Sequence, residues 1–454
     1  MLIPLCRQIV SSFFYIFGFK HEPNQKTMKI KLHFYIASLL LSASAFAQDY
    51  YLHCGKILNT QTGKESSNQT IVVSKNKIVK IQDGFQPKAK ATDVEVDLKN
   101  KYILPGLIDL HVHIEGENNT KSYLSKYLEN EADVAFQAVR CAEVTLLAGF
   151  TTVRDLGGTG VNISVRNAIN KDVVKGPRIF TAGKAIATTG GHADPTNGSN
   201  RKLVGDPGPH EGVINSPEEA VKAVRERYKE GADVIKITAT GGVLSVAKNG
   251  KNPQFTLEEV KAITATAKDY GMLTAAHAHG DEGMQRAILG GIKTIEHGTF
   301  MSEETMELMK KYDSYLVPTL SAGREVEKNA EISGYYPEVV VPKAKEVGPQ
   351  LKTTFAKAYK KGVKIAFGTD AGVFAHGNNA KEFGYMVDAG MPALASIQSA
   401  TITNALLLGM DTELGQIKES FLADIIAVDE SPLTNIKTLE KVVFVMKDGK
   451  IYKK

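Results

Sequence analysis

Cysteine is scarce in this chain of 454 residues, which contains three. Cys6 lies in the first 47 residues, and only Cys54 and Cys141 follow that segment. A single pair of cysteines cannot supply the disulfide framework of a small secreted module. With 43% hydrophobic residues, the chain is expected to fold around a large apolar core and to keep both thiols buried and free; the alternative is one disulfide between Cys54 and Cys141.

An excess of positive charge is also missing from the main part of the chain. The formal net charge is +5, but the first 47 residues carry five Lys or Arg and one Glu. Without that net +4 of the N-terminal segment about +1 remains, and no basic patch indicates binding of nucleic acid. The sequence has no internal repeat, low-complexity tract or heptad pattern.

The N-terminal segment has the organisation of a secretory signal. From Met28 it runs MKIKLHFYIASLLLSASAFAQ, with two lysines, an apolar stretch and Ala45-Phe46-Ala47. That order is typical of a signal peptide, and the apolar stretch is short for a membrane span.

We predict a leader over residues 1–47, with the signal peptide at about 28–47 and cleavage after Ala47. No cysteine follows the cut, so a lipid anchor is not expected. The mature protein would be periplasmic or secreted, without a stable membrane span. Residues 1–27 resemble an upstream extension; the alternative is one long leader or a membrane anchor.

Strand-like and helix-like segments alternate through the middle of the chain. The helix-like segments include two capping boxes, which begin at Ser216 and Thr256. Eight candidate strands alternate with the helix-like segments: GLIDLHVHI, FTTVRDLG, RIFTAGKAIA, DVIKITA, LTAAHAHG, KTIEHG, YLVPTL and VKIAFGTDAG. Eight strands each followed by a helix predict an α/β fold, a (β/α)8 TIM barrel with its active site at the C-terminal ends of the strands.

Short β-rich segments occupy both flanks of this alternating region, and Asp448-Gly449 marks a hairpin near the C-terminus. We expect the flanks to pair with each other into a small composite β-sandwich domain. The predicted boundaries are 48–103 and 409–454 for the two parts of this domain and 104–408 for the barrel.

Residues able to bind metal lie at the ends of five predicted strands. They are His111, His113, Lys236, His277, His279, His297 and Asp370. A lone buried histidine is more often a hydrogen-bonded core residue than a ligand. Five of eleven histidines at one barrel mouth, together with a carboxylate, instead indicate the nitrogen and oxygen shell of an ion such as Zn²⁺.

Lys236 stands between two isoleucines in the pattern of a buried strand. Burial penalises its charged form and should lower its pKa towards a neutral amine. A neutral lysine can add CO₂ to form a carbamate, whose oxygens can bridge two metal ions. The alternative is a lysine paired with a barrel carboxylate or one that reaches solvent.

Five motifs in order, LPGLIDLHVHI, VIKITATGGV, AAHAHG, IEHG and FGTDAG, resemble the amidohydrolase superfamily. The similarity runs from about residue 50 to 454 and favours its imidazolonepropionase-like branch. That branch includes prolidase-like Xaa-Pro and Xaa-Arg/Lys dipeptidases and N-acyl-amino-acid hydrolases.

The resemblance implies two divalent ions, for which Zn²⁺ is the favoured identity. His111 and His113 would bind one ion with Asp370, His277 and His297 would bind the other, and carboxylated Lys236 would bridge them. His279 would lie behind the ligands or serve packing, because the family uses the first histidine of that motif. Hydroxide held by the ions would attack an amide carbonyl, and Asp370 would shuttle its proton to the leaving nitrogen; the alternative is that Asp370 is a ligand only.

Several weaker candidates could contact the substrate. His192, in the Gly- and Pro-rich loop TTGGHADP, could bind its carbonyl or carboxylate, although a surface histidine is nearly as good an interpretation. Gly241 and Gly242 could offer backbone N–H groups or form only a turn. Arg324 and His376 are further candidate contacts.

The sequence therefore predicts a binuclear metallo-amidohydrolase that cleaves dipeptides or N-acyl amino acids. A hydrolase of cyclic amides or imidazolones is the alternative within the same class, and a non-catalytic binding protein on the same fold is the alternative outside it. The expected partner is a small-molecule substrate. The sequence does not determine whether the protein forms a homo-oligomer.

Overall fold

The computed structural model describes residues 48–247 and 249–454. The predicted leader and signal peptide lie outside the described residues. Within the described part of the chain, no helix is both long and apolar enough to cross a membrane.

The strands of the described residues are numbered in chain order. They are β1 (Asp49–Leu58), β2 (Glu65–Ser74), β3 (Lys77–Asp83), β4 (Val94–Pro105), β5 (Leu107–Val112), β6 (Phe150–Asp155), β7 (Arg178–Thr181), β8 (Ala187–Thr188), β9 (Val213–Ile214), β10 (Val234–Thr238), β11 (Leu273–Ala278), β12 (Thr294–His297), β13 (Tyr315–Val317), β14 (Lys364–Ile365), β15 (Ile425–Val428), β16 (Phe444–Lys447) and β17 (Lys450–Lys453).

The helices are numbered in the same way. They are α1 (Ser122–Leu128), α2 (Glu131–Leu147), α3 (Val161–Asn170), α4 (Arg201–Val204), α5 (Pro217–Glu230), α6 (Leu257–Asp269), α7 (Asp281–Leu289), α8 (Glu303–Lys311), α9 (Leu320–Asn329), α10 (Val341–Lys360), α11 (Lys381–Asp388), α12 (Ala393–Gln398) and α13 (Asn404–Leu407). A π-helical turn spans Ser399–Thr403, and a 3-10 helix spans Ile436–Lys441.

The two predicted capping boxes differ in the structure. Thr256 and Glu259 form the reciprocal pair at the start of α6. Ser216 accepts the N–H of Glu219 at the start of α5, but the Glu219 carboxylate accepts the N–H of Asn215 instead. Helix α5 therefore begins where expected, but the bond accepted by the Glu219 side chain comes from Asn215 and not from Ser216.

The predicted parallel barrel is confirmed. Strands β5, β6 and β7 form one parallel run, and β10 to β14 form another in sequence order. A bridge between Ile186 and Ile237 joins the two runs on one side, and one between Val112 and Ala371 joins them on the other. The C-terminal ends of the strands consequently meet at one mouth.

The eighth strand is less regular than the sequence predicts. Paired strand geometry covers only Lys364–Ile365, and the chain continues towards Asp370 by single hydrogen bonds. The N–H of Asp370 donates to the His111 carbonyl over 2.7 Å. Asp370 is therefore attached to β5, and not placed by a strand ladder of its own.

The two β-rich flanks pair with each other, as predicted. Hydrogen bonds join them into one continuous seven-stranded mixed sheet in the order β17-β16-β15-β4-β1-β2-β3. The contact between the two flanks is the antiparallel pair of β15 and β4. Cys54 is a buried free thiol in this sheet, and Cys141 is a buried free thiol of α2 in the barrel core.

Candidate active site

A cavity of about 800 Å³ opens at the C-terminal mouth of the barrel. This volume is within the range of small-molecule sites. Its wall contains all the residues that the sequence singled out at the strand ends: His111, His113, Lys236, His277, His279, His297 and Asp370.

One set of metal-ligating groups surrounds Asp370. Its Oδ1 atom lies 3.4 Å from Nε2 of His111 and 3.3 Å from Nε2 of His113. His111, His297 and Asp370 each offer a ligand atom within 4.8 Å of the others. Burial alone would raise the pKa of Asp370, but His111 and His113 lower it below its usual value, so the side chain is an anion.

A second set consists of His277, His279 and His297, whose ligand atoms also lie within 4.8 Å of one another. Burial and the neighbouring histidines lower the pKa of His277 and His297 well below the usual value, and burial lowers that of His279 to about 3. All three are neutral imidazoles, which is the form that binds metal. His279, expected behind the ligands, is as close to the cluster as His277.

Most of these histidines are oriented through Nδ1. The Nδ1 atom lies 2.9 Å from Glu296 Oε2 in His111, and 2.6 Å from the Gly157 carbonyl in His113. It lies 2.7 Å from a threonine hydroxyl in His279 and in His297. An acceptor on Nδ1 fixes the tautomer and leaves Nε2 to bind a metal. His277 differs, because its Nε2 lies 3.1 Å from the Gly241 carbonyl.

Lys236 lies on β10 at the base of the cavity and is 3% exposed. Burial lowers its pKa to about 8, and the charges of Glu296 and Asp370 partly offset that effect. A substantial fraction of Lys236 is therefore a neutral amine in mildly alkaline solution, as its addition to CO₂ requires.

Three residues of the cavity wall have a left-handed backbone that side-chain-bearing residues seldom adopt. The φ angles are 71° for His297, 50° for Thr319 and 62° for Asp370. Such conformations cost about 1–3 kcal/mol each and persist where the surroundings determine them. Three of the nine non-glycine residues with positive φ in the described part of the chain thus lie in this wall.

A buried ion pair that the sequence analysis did not single out supports His111 from below. Arg154 Nη2 donates to Glu296 Oε1 over 3.0 Å, and both side chains are 0% exposed. Arg154 also donates to the Leu110 carbonyl and the Thr294 hydroxyl. Glu296 stands immediately before His297, but nothing in the local sequence shows that it meets His111.

His192 is the predicted substrate contact that the structure places in the cavity wall. Its ring lies 4.3 Å from that of His277, and its buried Nδ1 atom has no hydrogen-bond partner among the described residues. A Cβ atom on Gly242 would come within 2.2 Å of this ring, so Gly242 is required for close packing. Lys184 is a cation of the cavity wall that the sequence did not indicate.

Three other predicted contacts are corrected. The N–H of Gly241 is not available to a substrate, because it donates to the Asn252 carbonyl over 3.1 Å. Arg324 lies outside the cavity wall, over the ring of Tyr385. His376 is buried behind the site, with Nε2 3.1 Å from the His113 carbonyl and Nδ1 3.0 Å from the Thr145 hydroxyl. The position of Arg324 depends on the direction of helix α9, and that of His376 on the course of the loop before α11. Sequence spacing specifies neither.

The segment after β10 is fastened over the cavity from two helices. Lys343 of α10 donates to the carbonyls of Gly242, Ser245 and Ala247 over 2.7–3.0 Å. Tyr123 of α1 donates to the carbonyl of Leu244 over 2.7 Å. Val243 and Leu244 form part of the cavity wall, so these bonds determine its shape.

Several known proteins are similar to this chain in sequence or in structure. The crystal structure of a Xaa-Pro dipeptidase with methionine bound in its active site has 51% sequence identity, a TM-score of 0.87, and coverage of 90% of this chain and 100% of that one. A prolidase complexed with N-methylphosphonate-L-proline has 29% identity, a TM-score of 0.81 and the same coverage. The ochratoxinase of Aspergillus niger is 30% identical over 454 residues, 95% of this chain and 92% of its own length.

The barrel, its open mouth and the His and Asp cluster define a metal-dependent hydrolase. The amidohydrolase family profile matches residues 102–452. The chain belongs to the amidohydrolase family and is an enzyme that acts on carbon–nitrogen bonds.

Proposed function

We propose that this enzyme hydrolyses the amide bond of dipeptides or N-acyl amino acids at a two-metal centre. The observation that carries this proposal is the convergence of five histidines, Lys236 and Asp370 on one cavity large enough for a dipeptide.

The residues present fit two divalent ions. The donors are imidazoles and a carboxylate, the set that Zn²⁺ prefers. Burial alone would lower the pKa of His113, but its contact with Asp370 raises it, so this imidazole must give up a proton when it binds an ion. We propose that His111, His113 and Asp370 hold one ion, that His277 and His297 hold the other, and that Lys236, carboxylated by CO₂, bridges them. His279 is the alternative to His277. Bound ions would lower the pKa of a water molecule and polarise the scissile carbonyl.

Asp370 is proposed to move the proton of the reaction. Its carboxylate is buried and anionic, so it can accept a proton from the attacking water. The same oxygen can then deliver the proton to the leaving nitrogen, which would otherwise depart as a poor leaving group. The attachment of its N–H to the His111 carbonyl keeps the carboxylate between His111 and His113.

The dipeptide class is supported by relatives and by the cavity. One similar structure is a Xaa-Pro dipeptidase with methionine, a free amino acid, in its active site, and another is a prolidase with a proline derivative. An amino-acid leaving group has a free carboxylate, which requires donors near the metals. His192 and Lys184 of the cavity wall are the candidates.

The test compares dipeptides with their C-terminal amides on enzyme loaded with Zn²⁺. Blocking the carboxylate should lower kcat/KM at least about tenfold, since a charge-assisted hydrogen bond is worth 1.4 kcal/mol or more. An acyl cap on the N-terminal amine should have much less effect.

Three variants locate the carboxylate donor. His192→Ala and Lys184→Met should reduce the discrimination against amidated substrates. Lys126→Met is the matched control, because the Lys126 amine already donates to Asn197 and Ser199. Equal cleavage of free and amidated dipeptides would contradict the carboxylate pocket and favour cyclic amides as substrates.

We also propose that the enzyme is exported to the periplasm or secreted. The support is the signal-like order of residues 28–47, which lie outside the described part of the chain.

A further inference from the structure

Helix α9 begins directly behind the histidine cluster, and its first N–H groups are bound by a carboxylate from a distant part of the chain. Glu382 of α11 is 0% exposed. Its two oxygens accept the N–H groups of Leu320 over 2.8 Å and of Ser321 over 2.7 Å. The first N–H groups of a helix have no partner within the helix, and a carboxylate at that end is favoured by the helix dipole.

The cap position of α9 already holds a residue of a type that commonly caps helices. Thr319 is the N-cap, but its side chain makes no hydrogen bond to its own helix. Its hydroxyl lies instead 2.7 Å from Nδ1 of His297. Thr319 is thus used for a candidate metal ligand, and Glu382 supplies the bonds that the helix would otherwise lack.

The backbone of Thr319 has an unfavourable conformation that hydrogen bonds on both sides hold in place. Its φ of 50° is unfavourable for a β-branched residue. On one side its N–H donates to the Gly368 carbonyl over 3.2 Å, and on the other side Glu382 holds the next two residues. Burial raises the pKa of Glu382 to about 8, and hydrogen bonds from Ser321 and Leu320 oppose that effect. A buried carboxyl group is costly unless it is hydrogen-bonded, and both oxygens of Glu382 are engaged by the start of α9.

We propose that Glu382 is a positioning residue for the metal centre. By holding the first two N–H groups of α9 it keeps Thr319 in its left-handed conformation. The Thr319 hydroxyl then accepts a hydrogen bond from the Nδ1–H of His297, which turns Nε2 of His297 towards the other ligands. This inference rests on the proposed role of His297 as a ligand.

The first experiment measures the affinity of Glu382→Gln for Zn²⁺ by chelator competition. Glutamine has the same shape, but it keeps one acceptor oxygen and presents an NH₂ group to the other backbone N–H. One of the two ions should bind at least about tenfold more weakly, in the range found for residues that orient metal ligands. Substitution with Co²⁺ should give an altered visible absorption spectrum, which reports the ligand geometry directly.

Variants of Thr319 test whether Glu382 acts on His297 through the Thr319 hydroxyl. Thr319→Val removes the hydroxyl with little change of shape and should reproduce the loss of Zn²⁺ affinity, whereas Thr319→Ser should retain near-normal affinity. Because Glu382 acts through Thr319, the double variant Glu382→Gln/Thr319→Val should bind Zn²⁺ no more weakly than Thr319→Val alone.

Asp424→Asn is the matched structural control. Asp424 is also a buried carboxylate, which accepts from Arg178 and from the N–H of Asp448, far from the histidines in the sequence. This variant should unfold more easily and keep its Zn²⁺ affinity.

Three results would overturn the positioning role: a Glu382→Gln variant that behaves like Asp424→Asn, additive losses in the double variant, or normal Zn²⁺ affinity in Thr319→Val. Normal Zn²⁺ affinity in Thr319→Val overturns the role even where Glu382→Gln does not fold. Failure of the unmodified enzyme to bind Zn²⁺ would instead contradict the proposed metal centre itself.

Discussion

At the scale of single residues, the environment of Lys236 changes the chemistry that its side chain can perform. Its burial on β10 lowers its pKa to about 8, where an exposed lysine would remain fully charged. The neutral fraction can add to CO₂, with loss of one proton from nitrogen and formation of one C–N bond. The proposed carbamate would replace a positive charge, which repels metal ions, with a negative ligand.

Lys236→Ala should therefore lose more activity than the 10–100-fold typical of residues behind the ligands. Acetate or propionate should restore part of kcat/KM by filling the gap with a carboxylate. Lys236→Arg should not recover, because a guanidinium stays charged and cannot form the carbamate. Full activity of either variant would mean that Lys236 serves only the structure.

Glu296 is the residue on which the orientation of His111 depends. Its two oxygens are divided between Nδ1 of His111 and the guanidinium of Arg154. Glu296→Gln should weaken Zn²⁺ binding about 10–100-fold and lower the free energy of unfolding by about 3–5 kcal/mol, because it leaves Arg154 buried without its ion pair.

Chelator competition and urea unfolding of the metal-free enzyme measure these two effects of Glu296→Gln separately. A loss of stability with unchanged Zn²⁺ affinity would mean that Glu296 stabilises the barrel interior and does not orient His111 for metal binding.

At the scale of elements, the segment after β10 depends on α10 for its position. The three bonds from Lys343 hold its carbonyls, and Val243 and Leu244 form cavity wall between them. Loops that are fastened at few points open easily. The shape of the substrate site is thus determined partly by a helix that carries none of the candidate ligands.

Lys343→Met should raise hydrogen exchange of residues 242–247 and raise KM several-fold, with a smaller change in kcat. Lys345→Met is the control on the same helix, since Lys345 forms only an exposed ion pair with Glu331, of the kind that contributes about 0–1 kcal/mol. Equal exchange and equal KM in the two variants would show that the Lys343 bonds do not hold the loop.

At the scale of the whole molecule, the proposed metal centre would take ligands from five barrel strands and would therefore couple metal binding to folding. The protein purified without chelator, with Zn²⁺ and bicarbonate supplied, should contain close to two ions per chain by elemental analysis. Ions that bind the folded state alone at 1,000 times their Kd add about 4 kcal/mol, so chelation should lower Tm. A stoichiometry near zero would contradict the metal centre.

The class of fold and the set of candidate ligands could be predicted from the sequence. The order of strand-like and helix-like segments predicts the barrel, and the C-terminal ends of parallel strands must meet at one mouth. That rule brings together the seven candidates at predicted strand ends: His111, His113, Lys236, His277, His279, His297 and Asp370. The pairing of the two flanks was predictable as well, since neither could bury its apolar face alone.

The tertiary structure decided which side chains meet within that mouth. Regular alternation along β12 would place His297 with Ile295, and only its left-handed backbone breaks the alternation. Arg324 lies at Tyr385 because α9 turns that face away from the cavity. Glu296 reaches His111, and Glu382 reaches α9, across separations of 185 and 62 residues. Local periodicity carries no information about such contacts, because they depend on the tilt and packing of whole elements.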